Sequence, residues 1–229
     1  MSYLRIVVEG QSEERVVKDV LAPHLASYRV WAVPTLVNKS PSNTSRATKG
    51  GGCKYRPYQR DITLTLKQNA DWYVSAMIDL YALPADFPTP EVLPPPGPAR
   101  ADAYEAAFDA DVRQIMGDVY PWRFIPYIQR HELEALLFVE PAVTAEMIHP
   151  GNAAYAKKLR DVRDSYGSPE DINDGQHTAP SKRLGNGYHK TQHAPKIIGG
   201  VGLTSIRASC PRFDRWLRAL EALGTPLEQ

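Results

Sequence analysis

Acidic side chains close three separate apolar runs in this chain. Glu9 and Glu13 stand in the spacing Glu-Gly-x-x-Glu directly after the β-branched run Ile6-Val7-Val8. Asp79 ends the run 74–79, Val-Ser-Ala-Met-Ile-Asp, with Leu80 and Tyr81 behind it. His131, Glu132 and Glu134 follow the run 124–128. Carboxylates gathered in one place repel one another unless a cation sits among them. Hard oxygen donors of this kind select Mg²⁺ or Mn²⁺ over zinc. The plainer alternative is that these are ordinary solvated acids at strand ends.

The elements around them favour convergence. A short β-branched run reads as a buried parallel strand, and ligand-binding groups in open α/β sheets gather at the carboxyl ends of such strands. Gly10 suits a tight strand-to-helix turn because it tolerates backbone angles other residues avoid. Residues 12–27 form an expected helix with Val16, Val17, Val20, Leu21 and Leu25 in one stripe, Ser12 as its N-cap and Pro23 as a kink. Residues 28–37 alternate as a second strand. Residues 38–60 read as a long polar loop, and 61–70 are ambiguous before the strand 72–79, with an alternation that suggests a strand. The segment 83–100 carries prolines at 84, 88, 90, 94, 95, 96 and 98, so it is expected to be an extended insertion, or a flap over the acids. A helix over 101–116 turns Tyr104, Ala107, Phe108, Val112 and Ile115 inward. Short helices at 142–148 and 153–166 and a closing one at 213–223 complete the pattern. The fold class expected is α/β, a mostly parallel central sheet flanked by helices over residues 1–140, with a helical C-terminal extension over 141–229 packed on it.

The run His131-Glu132-Leu133-Glu134 also opens like the zinc-protease helix His-Glu-x-x-His. That chemistry needs a second histidine one turn on, and Ala135 stands there. On an α-helix Glu132 and Glu134 would point roughly 200° apart at about 3.6 residues per turn. Both face one site only if Glu132 still lies in the loop.

Charge is unevenly spread. The net charge is +1 over 229 residues, yet residues 38–60 carry Lys39, Arg46, Lys49, Lys54, Arg56 and Arg60 without an acid. Residues 175–213 carry Lys182, Arg183, Lys190, Lys196, Arg207 and Arg212, again without an acid. Separate basic tracts beside an acidic centre suit a polyanion binder. Tyr55 and Tyr58 interleave with the first tract as if to stack on bases, although a solvated surface loop reads equally well. Two cysteines, Cys53 and Cys210, fit a reducing cytoplasm rather than a disulfide framework. No run is long enough for a membrane span, and no Gly-Lys-Ser/Thr loop for ATP is present.

The ordered set VVEGQSE, MIDLY and QRHELEALLF, followed by APSKRL, the YHK element and CPRFDRWLRALEAL, resembles the Toprim fold. The version it is most similar to is that of OLD-type nucleases and of the bacterial family called domain of unknown function 4276. The resemblance spans nearly the whole chain, and it implies a helix over the ambiguous residues 61–70. It implies a Mg²⁺- or Mn²⁺-dependent nuclease acting on DNA or RNA, with Glu9, Asp79 and Glu134 as metal ligands together with Glu13. Lys182 and Lys190 would neutralise developing charge. Tyr81, His131 and Glu132 would stand behind the ligands, although His131 reads equally well as a cap or core residue. Lys49, Lys54, Arg56, Arg60, Lys182, Arg183 and Lys190 would contact nucleic acid. Tyr81 occupies the place of the second aspartate of a typical Toprim motif, which removes one anionic ligand. By the same resemblance the expected partners are nucleic acid and a separate ATPase in a phage-defence or DNA-maintenance system, with a homodimer left open and no membrane. The rival expectation is a non-catalytic subunit that binds nucleic acid or the ATPase through a degenerate site.

Overall fold

The computed structural model describes residues 1–37, 54–117, 122–173 and 178–224. In chain order the elements are β1 (Ser2–Val8), α1 (Gln11–Val16), a π-helical turn (Val17–Leu21), α2 (Ala22–Ala26), β2 (Val30–Leu36), α3 (Tyr55–Gln68) and β3 (Trp72–Asp79). They continue with α4 (Pro98–Met116), β4 (Phe124–Gln129), a 3₁₀ turn (Leu133–Phe138), α5 (Pro141–Ile148) and α6 (Ala153–Asp164). The last are α7 (Pro180–Leu184), α8 (Lys190–Val201), α9 (Leu203–Ser209) and α10 (Pro211–Glu221).

Among the described residues the sheet has the order β2-β1-β3-β4, every neighbouring pair parallel. The expected α/β class with flanking helices and a helical C-terminal extension is thus the one observed. The chain leaves β1 toward β2, then returns across the sheet to β3 and β4, so the strand order reverses between β1 and β3. A reversal of this kind opens a crevice beyond the strands' carboxyl ends. Each edge strand carries a proline, Pro34 in β2 and Pro126 in β4, tolerated where one side of the strand needs no partner.

Strand alternation divides the core. Leu4, Ile6 and Val8 of β1 join Met77, Tyr127, Val16, Val17, Leu21, Phe213 and Leu217 on one face. Val7, Val74, Ala76, Ile78 and Ile128 meet Tyr58, Ile62 and Leu66 of α3 and Phe108 and Val112 of α4 on the other. The C-terminal helices are therefore built into the first face. Trp216 of α10 stacks on Tyr127 at 4.5 Å between centroids and donates from Nε1 to Ser75 Oγ at 2.9 Å. No helix of the described residues is long and apolar enough to cross a membrane.

Several local expectations are corrected. The bend expected at Pro23 takes the form of a π turn just upstream, since proline lacks an N–H and its ring crowds the carbonyl four residues back. Ser12 does not cap the first helix. It is buried in the first turn, and Gly10 occupies the cap position. Part of the expected 38–60 loop is helix, because α3 begins at Tyr55. Tyr55 and Tyr58 are buried in that helix's inner stripe with Ile62 and Leu66, so neither offers a face to a base. Ile115 lies exposed rather than inward. Pro98 opens α4, inside the expected insertion. The rest of that insertion is anchored. Phe87 packs edge-on to Tyr55 at 5.1 Å and Phe108 at 5.0 Å, while Asp86 Oδ1 accepts the Tyr55 N–H at 2.9 Å. Lys39, Arg46, Lys49 and Cys53 lie outside the described residues.

Candidate active site

The crevice between β1 and β3 is a cleft of about 520 Å³ lined by Glu9, Gly10, Ser12, Glu13, Asp79, Tyr81, Glu132 and Lys190, among others. Glu9 follows β1 directly. Glu13 lies one turn into α1, where the backbone N–H of Glu14 bonds the Gly10 carbonyl at 3.0 Å. Gly10 is needed for space, not for its backbone angles, which are ordinary extended values (φ −139°, ψ 173°). A Cβ there would fall 2.8 Å from Glu13 Oε2, closer than such atoms stand. The Glu-Gly-x-x-Glu spacing thus lets the second carboxylate fold back over the turn.

Asp79 closes β3, and its Oδ1 accepts the Leu133 N–H at 3.0 Å. That bond ties the end of β3 to the turn after β4. Glu132 precedes the 3₁₀ turn in extended conformation (φ −142°, ψ 153°), so it does lie in the loop. Its Oε2 accepts the Ser181 N–H of α7 at 2.9 Å. Glu134 is fully buried. Its Oε1 accepts the Tyr188 O–H at 3.2 Å, and its Oε2 has no hydrogen-bond partner.

Lys190, the first residue of α8, reaches into this group. Its Nζ lies 3.0 Å from Glu13 Oε1, 3.5 Å from Glu134 Oε2 and 3.7 Å from Asp79 Oδ2. Burial pulls the ammonium's pKa down, but the Asp79, Glu134 and Glu13 carboxylates more than reverse this and hold it above its ordinary value. The carboxylates are less well served. Burial drives Asp79 well above the usual range, Lys190 opposes this, and Glu13, Glu134 and Glu132 push it higher. Burial likewise raises Glu134 despite Lys190. One lysine does not neutralise so many acids.

Among the described residues no group of three or more His, Cys, Asp or Glu side chains is spaced to hold a metal ion. The ammonium stands between them instead. The donor set nevertheless fits a divalent cation, being all carboxylate, with one buried oxygen lacking a hydrogen-bond donor and a cationic group already drawn to the centre.

The other residues singled out from the sequence are placed as follows. Tyr81 borders the cleft and is about half exposed. His131 lines a neighbouring cavity instead. Lys182 is exposed on α7 and does not line the cleft. Arg183 donates to Tyr166 Oη and to the Thr178 carbonyl, each at 2.6 Å. Lys54, Arg56 and Arg60 are exposed at and beyond the start of α3. Arg207 and Arg212 of the second basic tract are bound in internal ion pairs. Sequence reasoning overlooked Tyr188 as a partner of Glu134 and the helix that carries Lys190. Pro195 within α8 obscured that helix, and only the tyrosine-lysine spacing hinted at it.

The sequence profile of a family described as "Domain of unknown function (DUF4276)" matches residues 8–221. Among curated proteins none matches the sequence. The C-terminal region of the Burkholderia pseudomallei OLD protein superposes with a TM-score of 0.49 at 14% identity, over 95% of this chain and 98% of that one. The C-terminal region of the Xanthomonas campestris pv. campestris OLD protein gives 0.37 at 13% identity, over 97% of each.

Proposed function

The chain belongs to the DUF4276 family, and from that footing we propose that it is a Mg²⁺- or Mn²⁺-dependent nuclease of the Toprim kind. Its substrate is DNA or RNA. The observation that carries this reading is the under-neutralised acid cluster at the point where the strand order reverses. Two buried carboxylates with raised pKa values share one lysine with a third. Glu9, Asp79 and Glu134, together with Glu13, would hold the ion. When bound, it polarises the scissile phosphate and lowers the pKa of an attacking water.

The protein's own groups supply the rest. The Leu133 N–H fixes one Asp79 oxygen and leaves the other toward the cleft. The Tyr188 hydroxyl orients Glu134. Glu9, on the cleft wall, takes or returns the proton at the bridging oxygen. The Lys190 side chain is 42% exposed, so it has room to leave the carboxylates and neutralise charge developing on the phosphate. Lys54, Arg56 and Arg60, with Lys49 before them and Lys182 on α7, would contact the nucleic-acid backbone. Coupling to ATP is assigned to a separate ATPase subunit in a phage-defence or DNA-maintenance system.

A second reading, a binding subunit with a degenerate site, draws support from Tyr81 in place of an acid and from the ammonium inside the cluster. Cleavage separates the two. End-labelled DNA and RNA incubated with Mg²⁺, Mn²⁺ or EDTA should be cut only with metal, and Glu9→Ala or Glu134→Gln should abolish cutting. A wild type inert with every divalent metal and with its ATPase partner present would leave the binding subunit standing.

A further inference from the structure

Beside the acid cleft lies a second cavity, of about 850 Å³, beyond the carboxyl ends of β3 and β4. Cavities of roughly 300–1,000 Å³ are typical of small-molecule sites. The two spaces share Tyr81, which stands two residues beyond Asp79. Whatever phosphate lies against the carboxylates therefore has its next chemical group beside this ring.

The cavity differs from the cleft in character. Among the described residues its only lining acid is Asp171, which is paired with Arg130, while Arg100 adds a second cation. Arg130 Nε is buried without a hydrogen-bond partner. Aromatic surface comes from Tyr81, His131, Tyr104 and Phe87. An aromatic face with an amide and guanidinium groups at its edge is the chemistry that recognises an unstacked base.

The walls are held in place before any ligand arrives. His131 adopts a left-handed backbone (φ 68°), strained for a residue with a side chain. Its carbonyl accepts the Tyr81 N–H at 3.3 Å, and its ring lies 5.6 Å from that of Tyr81. The Asn173 side-chain nitrogen donates to Tyr81 Oη and stands 3.0 Å from His131 Nδ1. The proline-rich segment forms the far wall, anchored by Phe87. Strain held by this many contacts marks a surface shaped for a partner.

We propose that this cavity receives a single nucleobase, that of the nucleotide next to the phosphate in the acid cleft, with Tyr81 as the platform between them. The choice of ligand rests on the nuclease reading, but the pocket is testable without cleavage. Binding of the nucleoside 5′-monophosphates of adenine, guanine, cytosine and uracil is measured by calorimetry in EDTA. At least one should bind saturably, and Ala85→Trp and Thr89→Trp, which place bulk at exposed lining positions, should each weaken it by about tenfold or more. Lys157→Ala, on α6 and lining neither space, should bind as the wild type does. No binding of any of the four at millimolar concentration, or binding unchanged in both tryptophan variants, overturns the pocket. A protein that binds a nucleotide here yet never cleaves keeps the pocket and loses the nuclease reading. One that cleaves with Mg²⁺ but binds no nucleotide, and cuts abasic strands equally well, loses the pocket alone.

Discussion

Two charged clusters in this molecule have similar ingredients and opposite character. In the first, Arg207 of α9 holds Glu221 with two nitrogens at 2.5 and 3.1 Å and Asp214 at 2.6 Å. Arg218 takes the other Asp214 oxygen at 2.7 Å, and His24 adds a contact to Glu221 at 2.6 Å. Burial pushes Asp214 up, but the arginines reverse that and hold it below its ordinary range. In the second, Lys190 stands 3.0–3.7 Å from three carboxylates, and Asp79 and Glu134 end up above theirs. A guanidinium offers a planar fork that saturates carboxylates, whereas an ammonium is a single point charge. The first cluster is finished as built and serves the fold. The second is left short of positive charge, which is what a cation-binding centre requires.

Removing the cation from each cluster should separate them most sharply. Arg207→Ala leaves Asp214 to Arg218 alone and Glu221 to His24 alone, and should cost about 3 kcal/mol in chemical unfolding, since a broken ion pair leaves charge under-compensated. Divalent metal should recover none of it. Lys190→Met should cost less, about 2 kcal/mol, because Asp79 and Glu134 can escape repulsion by taking up protons. Millimolar Mg²⁺ should restore that loss, as an ion bound only by the folded form must. Equal metal rescue of both variants would erase the distinction.

The same contrast explains what could be read from sequence. Glu9, Glu13, Asp79, Glu132 and Glu134 were legible because each ends or closely follows a β-branched or apolar run, and parallel strands bring such ends together. The sheet and α4 were legible for the same reason of periodicity. Lys190 could be assigned only to a basic tract. Its neighbours in that tract, Arg207 and Arg212, proved to be structural, and charge alone does not tell a tertiary partner from a ligand contact. Tyr55 and Tyr58 misled because Arg56, Pro57 and Arg60 hide an inward stripe. Pro57 is tolerated because it lies in the first turn, where an N–H has no helical partner. The wall built by residues 83–97 could not be foreseen, since proline content predicts extension but not what Phe87 will pack against.

Finer changes test the second cluster itself. The folded-state pKa of Glu134 is raised, so its carboxyl adds stability below the unfolded value, lost as pH rises through the folded one. Glu134→Gln should therefore be more stable than wild type in EDTA at pH 8, by about 1 kcal/mol, and lose that advantage as pH falls into the ordinary carboxylate range. A variant less stable at pH 8 would show Glu134 to be well compensated. Gly10→Ala should be smaller still. With an ordinary extended backbone at that position, stability should change by less than about 0.5 kcal/mol, while the displaced Glu13 carboxylate weakens Mn²⁺ binding a few-fold. A large loss of stability would mean the glycine serves the backbone after all.

The most direct test of the acid cluster as a metal centre is thermal melting across a Mn²⁺ titration, wild type beside Asp79→Asn. The wild type should melt at progressively higher temperature until the site saturates, and Asp79→Asn should show no shift. A wild type indifferent to Mn²⁺, or a variant that responds as the wild type does, would contradict the account.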